Sequence, residues 1–333
     1  MTLAGPDDPP IHLDDVPEQG WEVGELQATR RRLGAAAGAH RIGVAVIDVA
    51  PGRRSTPPHS HADEEEIFLV LEGDGLSWQS SGRAPACYPI AAGDVLVHPA
   101  NGPAHTLIAG ERGLRVLVVA EGSRTNITYL PRTKQFWLGP RWSPAERPHP
   151  FQADAEAGPL PLPEPTAERP PSIVALADCP LETGGEGRFR WATRNGGRVA
   201  GARQLVLATD ELPPGSVNNP RHWHTIAEEC FYVLGGGGTA VIGEARHPLR
   251  PGSFFLRPPR SGVGHRIEAG PEGLEYVTMG DLMPGDVCVY PDSAKIAVRP
   301  GVFLPIPALA YFDGEPDAAV ALDPPPAPPP TGA

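Results

Sequence analysis

Apolar and polar residues alternate in short runs along the chain: "GVAVIDVA", "EIFLVLEG", "GDVLVHP" and "LRVLVVAEG" in the first half, "QLVLATDEL", "ECFYVLGG", "GSFFLRP" and "LEYVTMGD" in the second. A period of two over four to eight residues belongs to a strand with one buried face, and the Gly, Pro and Asp between the runs supply turns. Few stretches favour helix. The pattern predicts an all-β chain of regularly spaced strands that close into sandwiches or barrels.

The runs occur twice in the same order. "WATRNGGRVAGARQLVLATDELPPGS" (191–216) echoes "ATRRRLGAAAGAHRIGVAVIDVAPGRRS" (28–55), with Gly201 standing 163 positions after Gly38. The offset falls to 160 at His105 and His265 and holds at Pro131 and Pro291, so one loop is shorter in the second copy. This repeat predicts two barrels in tandem, one over 20–138 and one over 173–312. Between them, 139–172 has the proline and acidic content of an extended linker that packs on the surface without forming a core. The tail 313–333, ending "DPPPAPPPTGA", reads as disordered or polyproline-like.

Composition removes several classes of partner. The net charge is −12 and Lys134 and Lys295 are the only lysines, which leaves no basic stripe for a phosphate backbone and argues against nucleic acid. No apolar run of about 18 residues and no signal-peptide pattern at the start are visible, so a cytoplasmic protein without membrane association is expected. Cys87, Cys179, Cys230 and Cys288 form no CxxC pair and read as buried or free thiols.

Alternation also locates the chemistry. In "HWHTIAEECFYVLGG" (222–236), His222 and His224 share a strand face while Trp223 turns away; on the next strand Glu229, Phe231 and Val233 share a face opposite to Cys230. His265 opens the later run "HRIEAG". Three imidazole nitrogens and one carboxylate oxygen suit a divalent cation. The first copy offers His59, His61, Glu66 and His105 in "HSHADEEEIFLVLEG" (59–73) and downstream. Spacing to Gly73 selects Glu66, and a slip of one residue would select Glu65 instead. His98 reads as a loop or rim residue rather than a fifth ligand. Arg221 is a candidate anion contact or an ordinary surface ion pair, and Phe231 and Val233 are expected to line the interior as substrate contacts. Trp137, Trp142, Trp191 and the Phe254/Phe255 pair read as core or interdomain contacts.

These stretches, followed by "GDVLVHPANGPAH" and "GSFFLRPPRSGVGH", resemble the two cupin motifs: HxH, four residues, Glu, six residues, Gly; then Gly, a strand, Pro, a Gly-containing loop and His. The resemblance spans roughly 28–135 and 190–295 and implies a bicupin, two double-stranded β-helix (jelly-roll) barrels. Each loop before the last histidine is longer than the usual pattern, and neither copy has an Asn four positions after it, which alters the rim of the site. Octahedral geometry on such a donor set leaves two adjacent positions, suited to a small anionic or chelating organic substrate. Fe(II) is the expected ion, with non-haem, dioxygenase-type oxidoreductase chemistry. Mn(II), Ni(II) or Zn(II) would suit an isomerase or decarboxylase. No acidic lid segment of the kind a decarboxylase uses is visible in either barrel. A different class, a binding protein that anchors a sugar or carboxylate at the ion, fits the same residues. The second set, His222, His224, Glu229 and His265, is preferred as catalytic because Arg221 and Trp223 flank it. Two fused barrels mimic a dimer, so the chain is expected to be a monomer or a homodimer.

Overall fold

Residues 3–82, 84–122, 126–139, 141–298 and 301–306 are described by the computed structural model. The tail expected over 313–333, and the end of the second barrel's expected span, lie outside them.

The alternating runs become long antiparallel strands. In the first copy Glu66–Ser80 pairs with Ala104–Glu121 along most of its length, and with Ala86–Ala91 and Asp94–His98 on its other edge. Ile42–Val49, Leu26–Arg31 and Glu18–Val23 extend the same sheet, and a four-stranded sheet of Ser60–His61, Thr128–Leu130, Gln135–Leu138 and Arg141–Ser143 forms the other wall. The second copy repeats this around Glu229–Ile242 and His265–Asp281, with a small sheet of Trp223–His224, Val287–Tyr290, Lys295–Val298 and Val302–Pro305. The long central strands bend at Gly73 and Gly236. Both sit at positive φ (85° and 71°) beside register shifts, and a Cβ there would lie 2.1 and 2.3 Å from the carbonyl oxygens of Gly113 and Gly273.

Strand alternation divides the apolar residues among separate cores. Phe68, Val70, Leu96 and Val116 fill the first barrel, and Phe231, Val233, Phe255 and Tyr276 fill the second. The opposite faces meet between barrels, where Ile67, Leu69, Val97 and Val119 pack in one cluster with Leu207, Cys230, Phe254 and Met279. Cys230 therefore faces the other barrel, as its position next to Glu229 requires.

The barrels also exchange strands. Ile11–His12 pairs with Ser253–Arg257 of the second copy, and Ile173–Ala175 pairs with Asp94–His98 of the first. A boundary between 172 and 173 thus assigns to the second barrel a strand whose hydrogen bonds belong to the first. A linear repeat reveals how many strands each copy has, but not which copy receives the leading one.

Two buried carboxylates fasten the exchange. Glu65 accepts from the backbone N–H groups of Arg203, Gln204 and Leu205, at 3.0 to 3.2 Å, and Glu228 accepts from those of His40, Arg41 and Ile42, at 2.8 to 3.1 Å. Glu65 therefore holds the opposite barrel, while its neighbour Glu66 faces into its own. The segment expected to be a surface linker contributes more than that. Its helix Pro150–Glu156 buries Asp154 completely between Arg54 and Arg132, and Leu160 packs with Trp78 and Cys87. Pairing with buried guanidinium groups makes an acidic residue part of the interior, which average composition does not reveal. Among the described residues no helix is long and apolar enough to cross a membrane.

Candidate metal centres

Each centre is assembled at one end of its barrel. His59 and His105 exchange backbone hydrogen bonds across two segments, as do His222 and His265, so the first and last histidines of each set are locked side by side. His61 comes from the small sheet and Glu66 from the first residue of the long strand.

In the first centre, donor atoms of His59, His61, Glu66 and His105 all lie within 4.8 Å of one another. Glu66 Oε2 is 3.1 Å from His105 Nε2 and 3.2 Å from His61 Nε2, the latter without hydrogen-bond geometry. The outer nitrogens are tied elsewhere: His59 Nδ1 to the Pro57 carbonyl at 2.9 Å, His105 Nδ1 to the Pro103 carbonyl at 3.3 Å, and His61 Nδ1 beside Asn126 at 2.8 Å and Thr128 at 3.2 Å. Such contacts orient each ring with Nε2 inward. Converging inner nitrogens, one of them buried without a hydrogen bond, are what a divalent ion requires, and the set fits one.

The second centre is looser. His222, His224 and Glu229 gather within 4.8 Å of one another, and His265 joins through Glu229, with Nε2 2.9 Å from Oε2. Nδ1 of His222 meets the Pro220 carbonyl at 3.0 Å. His224 Nδ1 meets a carboxylate oxygen of buried Asp286 at 2.6 Å, with Cys288 Sγ at 3.5 Å. Asp286 also accepts from the N–H groups of Ile226 and Ala227. Asp286 and Cys288 stand 160 positions after Asn126 and Thr128. The second histidine thus meets a carboxylate most closely in one copy and an amide and a hydroxyl in the other. Glu64 Oε2, 3.4 Å from His61 Nδ1, is held by the Asn126 amide.

Electrostatics follow burial and these contacts. Burial alone would raise the Glu66 and Glu229 carboxyls, but the surrounding histidines hold both well below the usual range. Burial takes His59 down to about 3 and His265 to about 4, leaving neutral imidazoles ready to ligate. Burial would also lower His61 and His224. Glu66 overrides it at His61, lifting the group to about 9, and Asp286 with Cys288 overrides it at His224, lifting that one to about 11.

Some expectations land elsewhere. His98 is a buried strand residue in register with Glu66, and its ring stacks on His105 at 3.7 Å and 9°. Arg257 takes the matching place opposite Glu229; it is buried, with Nε and Nη1 lacking partners and Nη2 donating to the Pro6 carbonyl. Arg221 does not face the centre as a free cation: its guanidinium is held by Asp292 and Glu244. Phe231 and Val233 point into the second barrel, where Phe231 stacks on Phe255. Trp142 packs on His149, and Trp137 borders the first centre.

That border is a cavity of about 500 Å³. His59, His61, Glu66 and His105 open into it, with Phe68 and Ile47 as apolar wall and Arg30 as a charged one. Trp21, Phe151 and Trp137 form a corner, Phe151 meeting Trp21 edge-on at 5.8 Å and Trp137 at 5.9 Å. Phe151 comes from the linker helix, so the segment between the barrels closes one side of the first centre.

Comparison with known proteins agrees with this architecture. The cupin domain family model matches residues 45–120 and 208–279. The chain is 35% identical over 111 residues to dimethylsulfoniopropionate lyase DddW of Ruegeria pomeroyi, covering 32% of this chain and 70% of that protein. Among solved structures, oxalate decarboxylase of Bacillus subtilis aligns with a TM-score of 0.58 at 18% identity, over 84% of this chain and 76% of that one. The formate complex of Lactobacillus farciminis oxalate decarboxylase aligns with a TM-score of 0.59 at 18% identity, over 84% and 88%. The chain belongs to the cupin family, and its two barrels make it a bicupin with residues grouped for divalent metal binding.

Proposed function

We propose that the protein is a metal-dependent lyase of small carboxylates and that turnover takes place at the first centre. The observation that carries the reading is the cavity: the compact donor set of His59, His61, Glu66 and His105 opens into about 500 Å³ of mostly apolar space, within the size range of small-molecule sites. The sequence alone preferred the second centre through Arg221, whose charge is committed to Asp292 and Glu244. The oxygenase reading yields to a lyase because the relative at 35% identity is a lyase. The decarboxylases, at 18%, add support for the fold only.

A divalent ion on this set supplies Lewis-acid polarisation of a carboxylate, and one anionic ligand leaves the site with net positive charge to attract it. His59 and His105 present their Nε2 atoms to the ion in fixed orientation because their outer nitrogens face backbone carbonyls. Glu66 provides the anionic oxygen. Phe68, Trp21 and Phe151 exclude water, which strengthens each charge interaction within the cavity. The N₃O set accepts Fe(II), Mn(II), Ni(II) and Zn(II), so reconstitution with each belongs in the test.

The test is turnover of a panel containing oxalate, dimethylsulfoniopropionate and other small carboxylates by the full chain reconstituted with each metal, comparing His105→Ala with His265→Ala. The reading expects His105→Ala to lower kcat/KM by at least about a hundredfold, from loss of a ligand to the reacting centre, and His265→Ala to retain most of it. Loss confined to His265→Ala would move catalysis to the second barrel. Oxygen consumption coupled to product formation would restore the oxygenase.

A further inference from the structure

We propose that the cavity over the first centre takes a substrate with two anionic groups, a short dicarboxylate, one end held at the metal-ligand set and the other by Arg30. The proposal rests on the reading of the first centre as the active site and names what that site selects.

Arg30 lies on the strand Leu26–Arg31. Ala28, two residues earlier, belongs to the interior of the first barrel, so alternation sends Arg30 inward as well, and it lines the cavity opposite Ile47. Among the described residues its guanidinium has neither a hydrogen bond nor an ion pair, and its Nε is buried without a partner. Arg32 lines the same cavity, whereas three other nearby arginines are committed to carboxylates. Arg31 pairs with Glu18, and Arg54 and Arg132 both reach Asp154. Burial, with Arg32 close by, pushes Arg30 down to about 10, which leaves it cationic at neutral pH. A half-buried guanidinium with no anion beside it, whose Nε is shut off from water without a partner, is completed by an anion, and its planar fork matches a carboxylate.

Two alternatives fit less well. A sulfonium or ammonium zwitterion would place its cation in the Trp21, Phe151 and Trp137 corner, but the Arg30 guanidinium already lies over Trp21, 5.8 Å from the ring centroid. A second cation there would meet like charge. Oxalate carries its carboxylates on adjacent carbons and would chelate an ion on the donor set through both, with no second anion left for Arg30. A longer diacid such as succinate or glutarate offers one carboxylate to an ion on the donor set and keeps the other for Arg30, which lines the same cavity.

The experiment is calorimetric titration of the full chain loaded with Mn(II), using succinate, glutarate, butyrate, oxalate and dimethylsulfoniopropionate, on wild type, Arg30→Gln and Arg30→Lys. Thermal melts establish that each variant is folded. One of the longer diacids should bind at least about tenfold more tightly than butyrate, the size of one charge-assisted contact. Arg30→Gln should remove that advantage while leaving butyrate within about twofold, and Arg30→Lys should recover part of it. Equal affinity for diacid and butyrate, an Arg30→Gln variant that keeps the advantage, or tighter binding of oxalate or the sulfonium zwitterion would each overturn the proposal. Diacid selection that depends on Arg30 in a protein that cleaves no carboxylate would sink the lyase reading and leave this one standing. Turnover at the first centre that is indifferent to Arg30 would do the reverse.

Discussion

His61 and His224 occupy equivalent places but lean on different partners, Asn126 with Thr128 in one copy and Asp286 with Cys288 in the other. A carboxylate behind a ligating histidine fixes its tautomer and raises its basicity. Asp286→Asn keeps an oxygen for the N–H groups of Ile226 and Ala227 but removes the negative charge from His224. Chelator competition followed by plasma mass spectrometry should show about 10- to 100-fold weaker retention of one of the two ions, with the other unchanged. Equal retention in variant and wild type would mean that the contact only orients the ring. The candidate ligands were legible because HxH, Glu and Gly stand at fixed spacing on alternating strands, twice. Their supports were not. His98, Arg257 and Arg30 lie on strands, and Asp286 lies just before one, whose pairing no local pattern shows. Asp286 could have been found by carrying the repeat's offset of 160 back to Asn126, within reach of the first histidine pair.

The element that departs most from expectation is the connecting segment. Its proline content suggested a passive spacer, yet its helix places Phe151 against the first cavity and Asp154 between two arginines. Asp154→Ala would leave Arg54, 3% exposed, with only its Glu25 contact. Removing one partner of a buried pair costs about 3–5 kcal/mol, so chemical denaturation should show a loss of that order. A change below about 1 kcal/mol, the scale of surface pairs, would show that the segment is not anchored there. The exchanged strands Ile11–His12 and Ile173–Ala175 were equally hidden: each is too short to carry a period, and its partner lies in the other copy.

At the scale of the whole molecule, the two barrels form one structure. They share an apolar cluster, trade edge strands, and are joined by Glu65 and Glu228, each the immediate neighbour of a metal-ligand candidate. The all-β class and the duplication followed from alternation and repeat, because those patterns are set by the faces each strand must bury, and the family resemblance rested on the spaced HxH, Glu and Gly motifs. The proposal of the first centre draws on packing instead, on the cavity over its donor set and on Arg30 lining that cavity. The measurement that tests the account most directly is metal content per chain by plasma mass spectrometry, on protein prepared without chelators or a histidine tag and then reconstituted. Two full donor sets predict close to two divalent ions per chain, falling to one in His105→Ala and to one in His265→Ala. Protein that remains metal-free after reconstitution with Fe(II), Mn(II), Ni(II) or Zn(II) would contradict it.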